Sequence, residues 1–347
     1  MQVIARIFLC LVLLFGCAKP IRISMKNLPH HTDKGFQNNY LPEKIMTKSL
    51  SEVFRWRVTR KPQEPIEFKR VEPDLSFLQS NRTESTLTWI GHSTFLWQHQ
   101  GVNLITDPHL TNRASPVGFA GPKRVVPPAI SLQDLPLIDI VVISHNHYDH
   151  LDKKSVLGIM KRQKKSPPVF LVPLGMRAWF KKIGINTGVI ELDWWESHQV
   201  GDWTLNAVPV QHWSRRALND TNRVLWAGWV IDTPKKKLFF AGDTGYSQDF
   251  LDIGKKFGRM DLSLIPIGAY APRWFMKDMH CSPEEAVQIH LDVGSRRSIG
   301  MHWGTFLDLT DEPMEEPPAR LRKAVTAKNL DPQCFITLQH GETLLGI

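Results

Sequence analysis

From Ser85 onward the chain alternates short apolar runs with polar breaks. The runs "TLTWI", "TFLWQ", "VNLIT", "IDIVVIS", "PVFLVP", "WTLNAVPV", "VLWAGWVID", "KLFFAG", "LSLIPIG", "RSIGMHW", "CFITL" and "TLLGI" are rich in β-branched and aromatic residues and predict strands. Segments of helical period lie between some of them. "DKKSVLGIMKRQKK" starts on Asp152 as a cap and sets Val156, Ile159 and Met160 on one face. "SPEEAVQIHLDV" places Ser282 at the cap, Pro283 at the first helical position and Glu285 where a capping box needs it. Strands interspersed with helices predict two sheets covered by helices.

Upstream of Ser85 the pattern changes. "PHHTDKGFQNNYLPEK" has no clear period and reads as an extended arm. "SLSEVFRWRVTR" predicts a short helix with Ser51 as cap and Val53, Phe54 and Trp56 as its apolar positions, either packed on the main body or resting on lipid. The opening "MQVIARIFLCLVLLFGC" carries Arg6, then an apolar run from Ile7 to Phe15 that is short for a bilayer span. It reads as an export signal of bacterial lipoprotein type over residues 1–16, with Cys17 as the lipidated first residue. The expected organisation is therefore a signal at 1–16, an arm at 17–84 and one main folded domain at 85–347. The expected location is the bacterial cell envelope, lipid-anchored on the periplasmic face of the outer membrane. Acylation at Cys17 would supply more than one chain, as stable anchoring needs.

Composition narrows the partners. Of 347 residues 42% are hydrophobic and 22% charged, which fits a folded globular protein. The net charge of +9 favours anionic partners. No helix-turn-helix, zinc-finger pair or RNP motif is present, so nucleic acid is not an expected partner. The oligomeric state is left open, a homodimer being one option. Four cysteines occur, of which Cys10 and Cys17 lie in the signal region. Cys281 and Cys334 remain, as a pair or as two thiols. Without zinc-finger cysteine spacing, any metal site must use His and Asp.

The chemistry gathers in "SHNHYDHLD", Ser144–Asp152. His145, His147, Asp149 and His150 fall on one loop, after a buried strand and before the Asp152 cap, where irregular backbone can aim several side chains at one point. Imidazole and carboxylate ligands suit zinc, and iron or manganese also fits. One short loop cannot close two sites, so further ligands must come from other strand ends. His212 in "NAVPVQHWS", Asp243 in "LFFAGDTGY" and His302 in "SIGMHWGTF" qualify.

This set resembles the metallo-β-lactamase fold superfamily. "WIGHSTFLW" and "NLITDPHL" are similar to its opening strands, with Asp107 in the place of a buried structural aspartate. The longer stretches "DPHLTNRASPVGFAGPKRVVPP", "ISHNHYDHLD", "FFAGDTGY", "PIGAYAPRWFMKDMH" and "SPEEAVQIH" resemble the N-acylphosphatidylethanolamine-hydrolysing phospholipase D family, from about Trp89 to Leu307. The resemblance implies an α+β fold, a four-layer αβ/βα sandwich. It implies two zinc ions, one on His145, His147 and His212, the other on Asp149, His150 and His302, with Asp243 bridging and Asp149 among the catalytic residues. It implies a phosphodiesterase acting on a phospholipid at a membrane surface, releasing phosphatidic acid and an N-acylethanolamine. The ligand set taken alone also fits hydrolysis of a cyclic phosphodiester, a lactone or a lactam, or an inactive envelope binding protein.

Other residues carry weaker expectations. Tyr148 is a donor to a phosphate oxygen or a packing residue. His280 protonates the leaving alcohol, binds phosphate or merely caps a helix. His92 reads as a core histidine satisfied by hydrogen bonds. Arg273 and Trp274 in "YAPRWFMK" offer cationic and aromatic surface, which the resemblance assigns to substrate contact. His30, His31, His99, His109, His198, His290 and His340 receive no role.

Overall fold

The computed structural model describes residues 28–42, 48–60 and 63–347. The expectations for the signal and for Cys17 fall outside the described residues. Two seven-stranded mixed sheets form the body. The first runs in the spatial order Thr343–Leu345, Thr86–Gly91, Thr94–His99, Val102–Thr106, Ile140–Val142, Val169–Pro173, Val189–Leu192. The second runs Ser197–Val200, Trp203–Val208, Gly228–Asp232, Lys237–Phe240, Leu262–Pro266, Ser298–Met301, Phe335–Thr337. In each, successive pairings are antiparallel along one half and parallel along the other.

Strand alternation shows how the layers stack. Phe95 and Trp97 turn to one face, where they share a core with Leu205, Trp229 and Phe240 of the other sheet. Leu96 between them turns to the opposite face, against Val156 and Ile159 of the helix Lys153–Arg162 and Phe180 of the helix Arg177–Lys182. The far face of the second sheet is covered by the helices Asp249–Phe257, Pro283–Asp292 and Glu316–Ala327. The result is the four-layer αβ/βα sandwich. The strands are apolar on both faces because both faces are covered.

Both anticipated caps form. Asp152 accepts from the amides of Lys154 and Ser155, and Ser282 and Glu285 make a reciprocal capping box. The arm helix spans Leu50–Thr59, and its cap is Ser49, not Ser51. Ser49 and Glu52 stand at capping-box spacing and bond reciprocally, while the Ser51 hydroxyl lies 2.9 Å from that of Ser49. This helix packs on the body through Trp56, which stacks on Phe275 at 5.0 Å and donates to Asp311; Phe54 and Val58 stay exposed. Upstream, His31–Thr32 and Gly35–Phe36 pair as a small hairpin, and Phe36 is buried in the main core. Cys281 is buried, Cys334 is half-buried, and both are free.

Candidate metal centre

The site lies beyond the C-terminal ends of strands from both sheets. Asp107 follows Val102–Thr106, the ligand loop follows Ile140–Val142, and His212, Asp243 and His302 follow strands of the second sheet. Gly242 is needed for the close approach of the two sheets' loops. Its φ is +62°, and a Cβ there would stand 2.5 Å from the Ser144 Cβ. His92, Asp107 and His302 also hold left-handed backbone, a strain that non-glycine residues adopt where surrounding structure enforces it.

The ligand loop is braced from three sides. The Trp229 indole donates to the Ile143 carbonyl, 3.0 Å. The half-buried Arg216 donates through its guanidinium to the carbonyls of Asn146 and Leu151, each 2.8 Å. Asp107 accepts from the Ser144 amide (2.7 Å) and hydroxyl (2.5 Å) and from His150 Nδ1 (2.7 Å).

These contacts fix tautomers. Ser144 Oγ gives its proton to Asp107, so at 2.8 Å it accepts from Nδ1–H of His145. His150 Nδ1 donates to Asp107 and His212 Nδ1 donates to the Met279 carbonyl, 2.9 Å. In the His145 and His212 rings Nε2 is left as a bare lone pair aimed inward, the state a metal ligand requires, and the His150 ring is turned so that its Nε2 faces Asp243 and Asp149. His145 Nε2 lies 2.8 Å from His147 Nδ1, and His212 Nε2 lies 3.3 Å from the same atom. Asp243 Oδ2 stands 3.1 Å from Nε2 of both His150 and His302, and 3.9 Å from Nε2 of both His145 and His212. Asp149 Oδ2 is 3.4 Å from Nε2 of His150 and of His302.

The electrostatics divide the rings into two sets. Burial, and then the neighbouring imidazoles, push His145 well down. Burial likewise takes His147 to about 4, and His212 and His280 to about 3. These rings are neutral near pH 7. His302 is pushed down by burial but held up to about 9 by Asp243 and Asp149. His150 is raised against its burial by the same carboxylates. Burial raises Asp149 and Asp243, and the facing histidines outweigh it, leaving both well below their ordinary range. Two anionic carboxylates so deeply buried call for cationic partners.

The donor set fits a metal. His145, His147 and His212 form one group able to hold an ion, and Asp149, His150 and His302, joined by His92, form another. His150 Nε2, His302 Nε2, His147 Nε2 and Asp243 Oδ1 are buried without hydrogen-bond partners.

The seven residues expected as ligands thus come together. His280 joins them: its Nδ1 is buried, unpartnered and 4.0 Å from Asp243 Oδ2. His92 is buried and donates to Asp149 Oδ2 at 3.0 Å, with its ring 4.0 Å from that of His302. A lone histidine after a strand gave no sequence signal of that closeness. Arg216 was equally silent. The Tyr148 hydroxyl donates to the Arg216 carbonyl, 3.0 Å, and the Arg216 guanidinium covers its ring at 4.0 Å. Arg273 bonds both Glu285 oxygens and the His280 carbonyl. Trp274 is partly exposed beneath Arg55, which ties it to the arm helix.

The profile of the β-lactamase superfamily domain matches residues 102–303, which includes every loop of this centre from Asp107 to His302. The chain belongs to that superfamily. It is 43% identical over 265 residues to N-acyl-phosphatidylethanolamine-hydrolyzing phospholipase D 1 of Caenorhabditis elegans, covering 74% of each chain. It is 38% identical over 324 residues to an uncharacterized protein of Mycobacterium tuberculosis, covering 90% of this chain and 84% of the relative. Among solved structures, a metallo hydrolase of Ignicoccus hospitalis superposes with a TM-score of 0.56 at 19% identity, covering 76% of this chain and 98% of the other, a likeness of fold. This superfamily member is a metal-dependent hydrolase.

Proposed function

We propose that the protein is a phospholipase D-type phosphodiesterase that converts N-acylphosphatidylethanolamine-like phospholipids to phosphatidic acid and N-acylethanolamine. The observation that carries this reading is the meeting of two ligand groups at one carboxylate oxygen, Asp243 Oδ2. Likeness to the C. elegans enzyme selects the substrate class.

His145, His147 and His212 would hold one zinc ion, Asp149, His150 and His302 the other, and Asp243 both. Two such cations lower the pKa of a bound water and offset charge on phosphoryl oxygens. In the reaction the water oxygen joins phosphorus, the bond from phosphorus to the ethanolamine oxygen breaks, and a proton ends on that oxygen. His280, neutral at rest, stands beside Asp243 as the candidate that takes a proton from the attacking water and passes it to that oxygen. A lipid anchor on Cys17 would keep the centre at a membrane of the bacterial envelope. Among the described residues no helix is long and apolar enough to cross a membrane.

The test is incubation of purified protein with an N-acylated phospholipid, a lactone and a lactam, each with and without chelator. Chelator-sensitive release of phosphatidic acid is expected. Turnover of the lactone or lactam alone by metal-replete protein would overturn the reading.

A further inference from the structure

Among the described residues, the arm bonds a ligand of the metal centre through Asn38. Asn38 is buried, and its amide serves both backbone groups of His212. Asn38 Nδ2 donates to the His212 carbonyl, 2.9 Å, and Asn38 Oδ1 accepts from the His212 amide, 3.0 Å. Oδ1 also accepts from the Trp226 indole, 3.1 Å, which is shared with the Val210 carbonyl.

The residue before His212 is anchored differently. The Gln211 amide bonds Thr244 Oγ1 and its carbonyl accepts from the Gly245 amide, both within the second sheet's own loops. At His212 the chain leaves that ladder, and its buried N–H and C=O have to be met by something else. Asn38 meets both. With Nδ1 held by Met279 and the backbone held by Asn38, the direction of Nε2 is set from two sides.

The rest of the arm holds Asn38 in place. Gly35 crosses so close to Asn222 that a Cβ would sit 2.0 Å from the Asn222 carbonyl oxygen, and the Phe36 amide donates to that same oxygen, 2.8 Å. Asn222 in turn accepts from the Ser214 amide, two residues beyond His212. Farther back, His30 and His31 place their Nε2 atoms 2.7 and 2.9 Å from the two oxygens of Asp193, and His30 stacks on Trp194. Both carboxylate oxygens are taken at hydrogen-bond length, so this cluster works as a clasp for the arm.

We propose that Asn38 is a positioning residue for His212, and that the arm is thereby a working part of the metal centre. The proposal rests on the metal-binding reading of His212 and is independent of the substrate. Outer residues that orient a ligand typically change metal affinity by about 10- to 100-fold when removed.

The test uses the full chain carrying Asn38→Ala or Asn38→Asp, with Asn39→Ala as control. Asn39 belongs to the same arm but bonds Asp249, away from the centre. Stepwise metal affinity is read by competition with a chromophoric chelator. Ligand geometry is read from the visible spectrum of the Co2+-loaded protein, and fold from the melting of the stripped protein. In Asn38→Ala one of the two equivalents is expected to weaken about 10- to 100-fold, with an altered cobalt spectrum. Activity should then fall in kcat more than it changes in KM.

Asn38→Asp keeps the acceptor but turns a carboxylate oxygen on the His212 carbonyl, and is expected to weaken the site at least as much. Asn39→Ala should match the wild type in every readout. Wild-type affinities and a superimposable cobalt spectrum in Asn38→Ala would overturn the proposal, even if the stripped protein melts lower. Equal weakening in Asn39→Ala would also overturn it. Should Asn38→Ala not fold, Asn38→Ser, which keeps a single hydroxyl for one of the two backbone groups, is read against the same two outcomes. A wild-type chain that binds no metal would sink the reading of the centre itself, and is told apart because every variant then behaves alike.

Discussion

His150 Nδ1 donates to Asp107 Oδ2 over 2.7 Å, with neither side chain reachable by solvent. One aspartate therefore orients the ring of a ligand on one loop and, through Ser144, the ring of His145 on the same loop. Asp107→Asn keeps the shape but replaces one acceptor oxygen with an NH2 group, which must face Ser144 or His150. The expected result is a loss of about 10- to 100-fold in metal affinity, measured by chelator competition. Unchanged affinity would mean that these rings are held by packing alone.

His280 offers a separation of roles. It stands 4.0 Å from Asp243 Oδ2 through an unpartnered nitrogen, outside the seven-residue ligand set. His280→Ala should keep the metal content of the wild type while kcat falls by about 10²- to 10⁴-fold, the usual worth of a positioned acid or base. Metal content by elemental analysis, alongside steady-state kinetics, checks this. Loss of an equivalent would make His280 a ligand instead.

Gly242→Ala tests the tight approach of the two sheets' loops. The new methyl would meet Ser144 at 2.5 Å on a backbone of φ +62°. A stability loss of about 1–3 kcal/mol is expected, read by urea unfolding of the stripped protein, so that any effect on metal binding is kept apart.

The arm's clasp carries a pH signature. Burial raises the Asp193 carboxyl, but the His30 hydrogen bond, the charges of His30 and His31 and the Trp194 amide outweigh it, so its value lies below the ordinary 3.8. Between those two values the folded chain holds fewer protons on this group than the unfolded chain. Its contribution is therefore complete above pH 3.8 and is lost as pH falls through the folded value. The stability gap between the wild type and Asp193→Asn should close as pH falls below 3.8, as followed by Trp fluorescence during urea titrations in acid. A gap that persists into stronger acid would contradict the assignment.

Much of the fold was legible because its strands are apolar on both faces and its principal helices open on Asp152 and Ser282, whose side chains cap them. The edge strand Ser197–Val200 escaped notice because it is polar and only half covered. The helix Asp249–Phe257 has no side-chain cap, and Glu316–Ala327 starts on two prolines that read as a break. The site divides along the same line. "HNHYDH" announces itself because so many ligand types share one loop, and His212, Asp243 and His302 each follow an apolar run. Asn38, Arg216 and His92 act through contacts distant in sequence, and no local pattern marks them. Phe36 and Asn38 were hidden by the polar, proline-rich stretch around them, which looks like a tether and is in part core.

The centre's placement has a further consequence. The first sheet supplies residues 145–150 and the second supplies His212, Asp243 and His302, so neither layer alone owns a complete set. Hydrolytic competence is thus a property of the seam. A cavity opened in the shared apolar interface, as at the Trp97–Trp203 contact, should therefore weaken metal binding as well as stability.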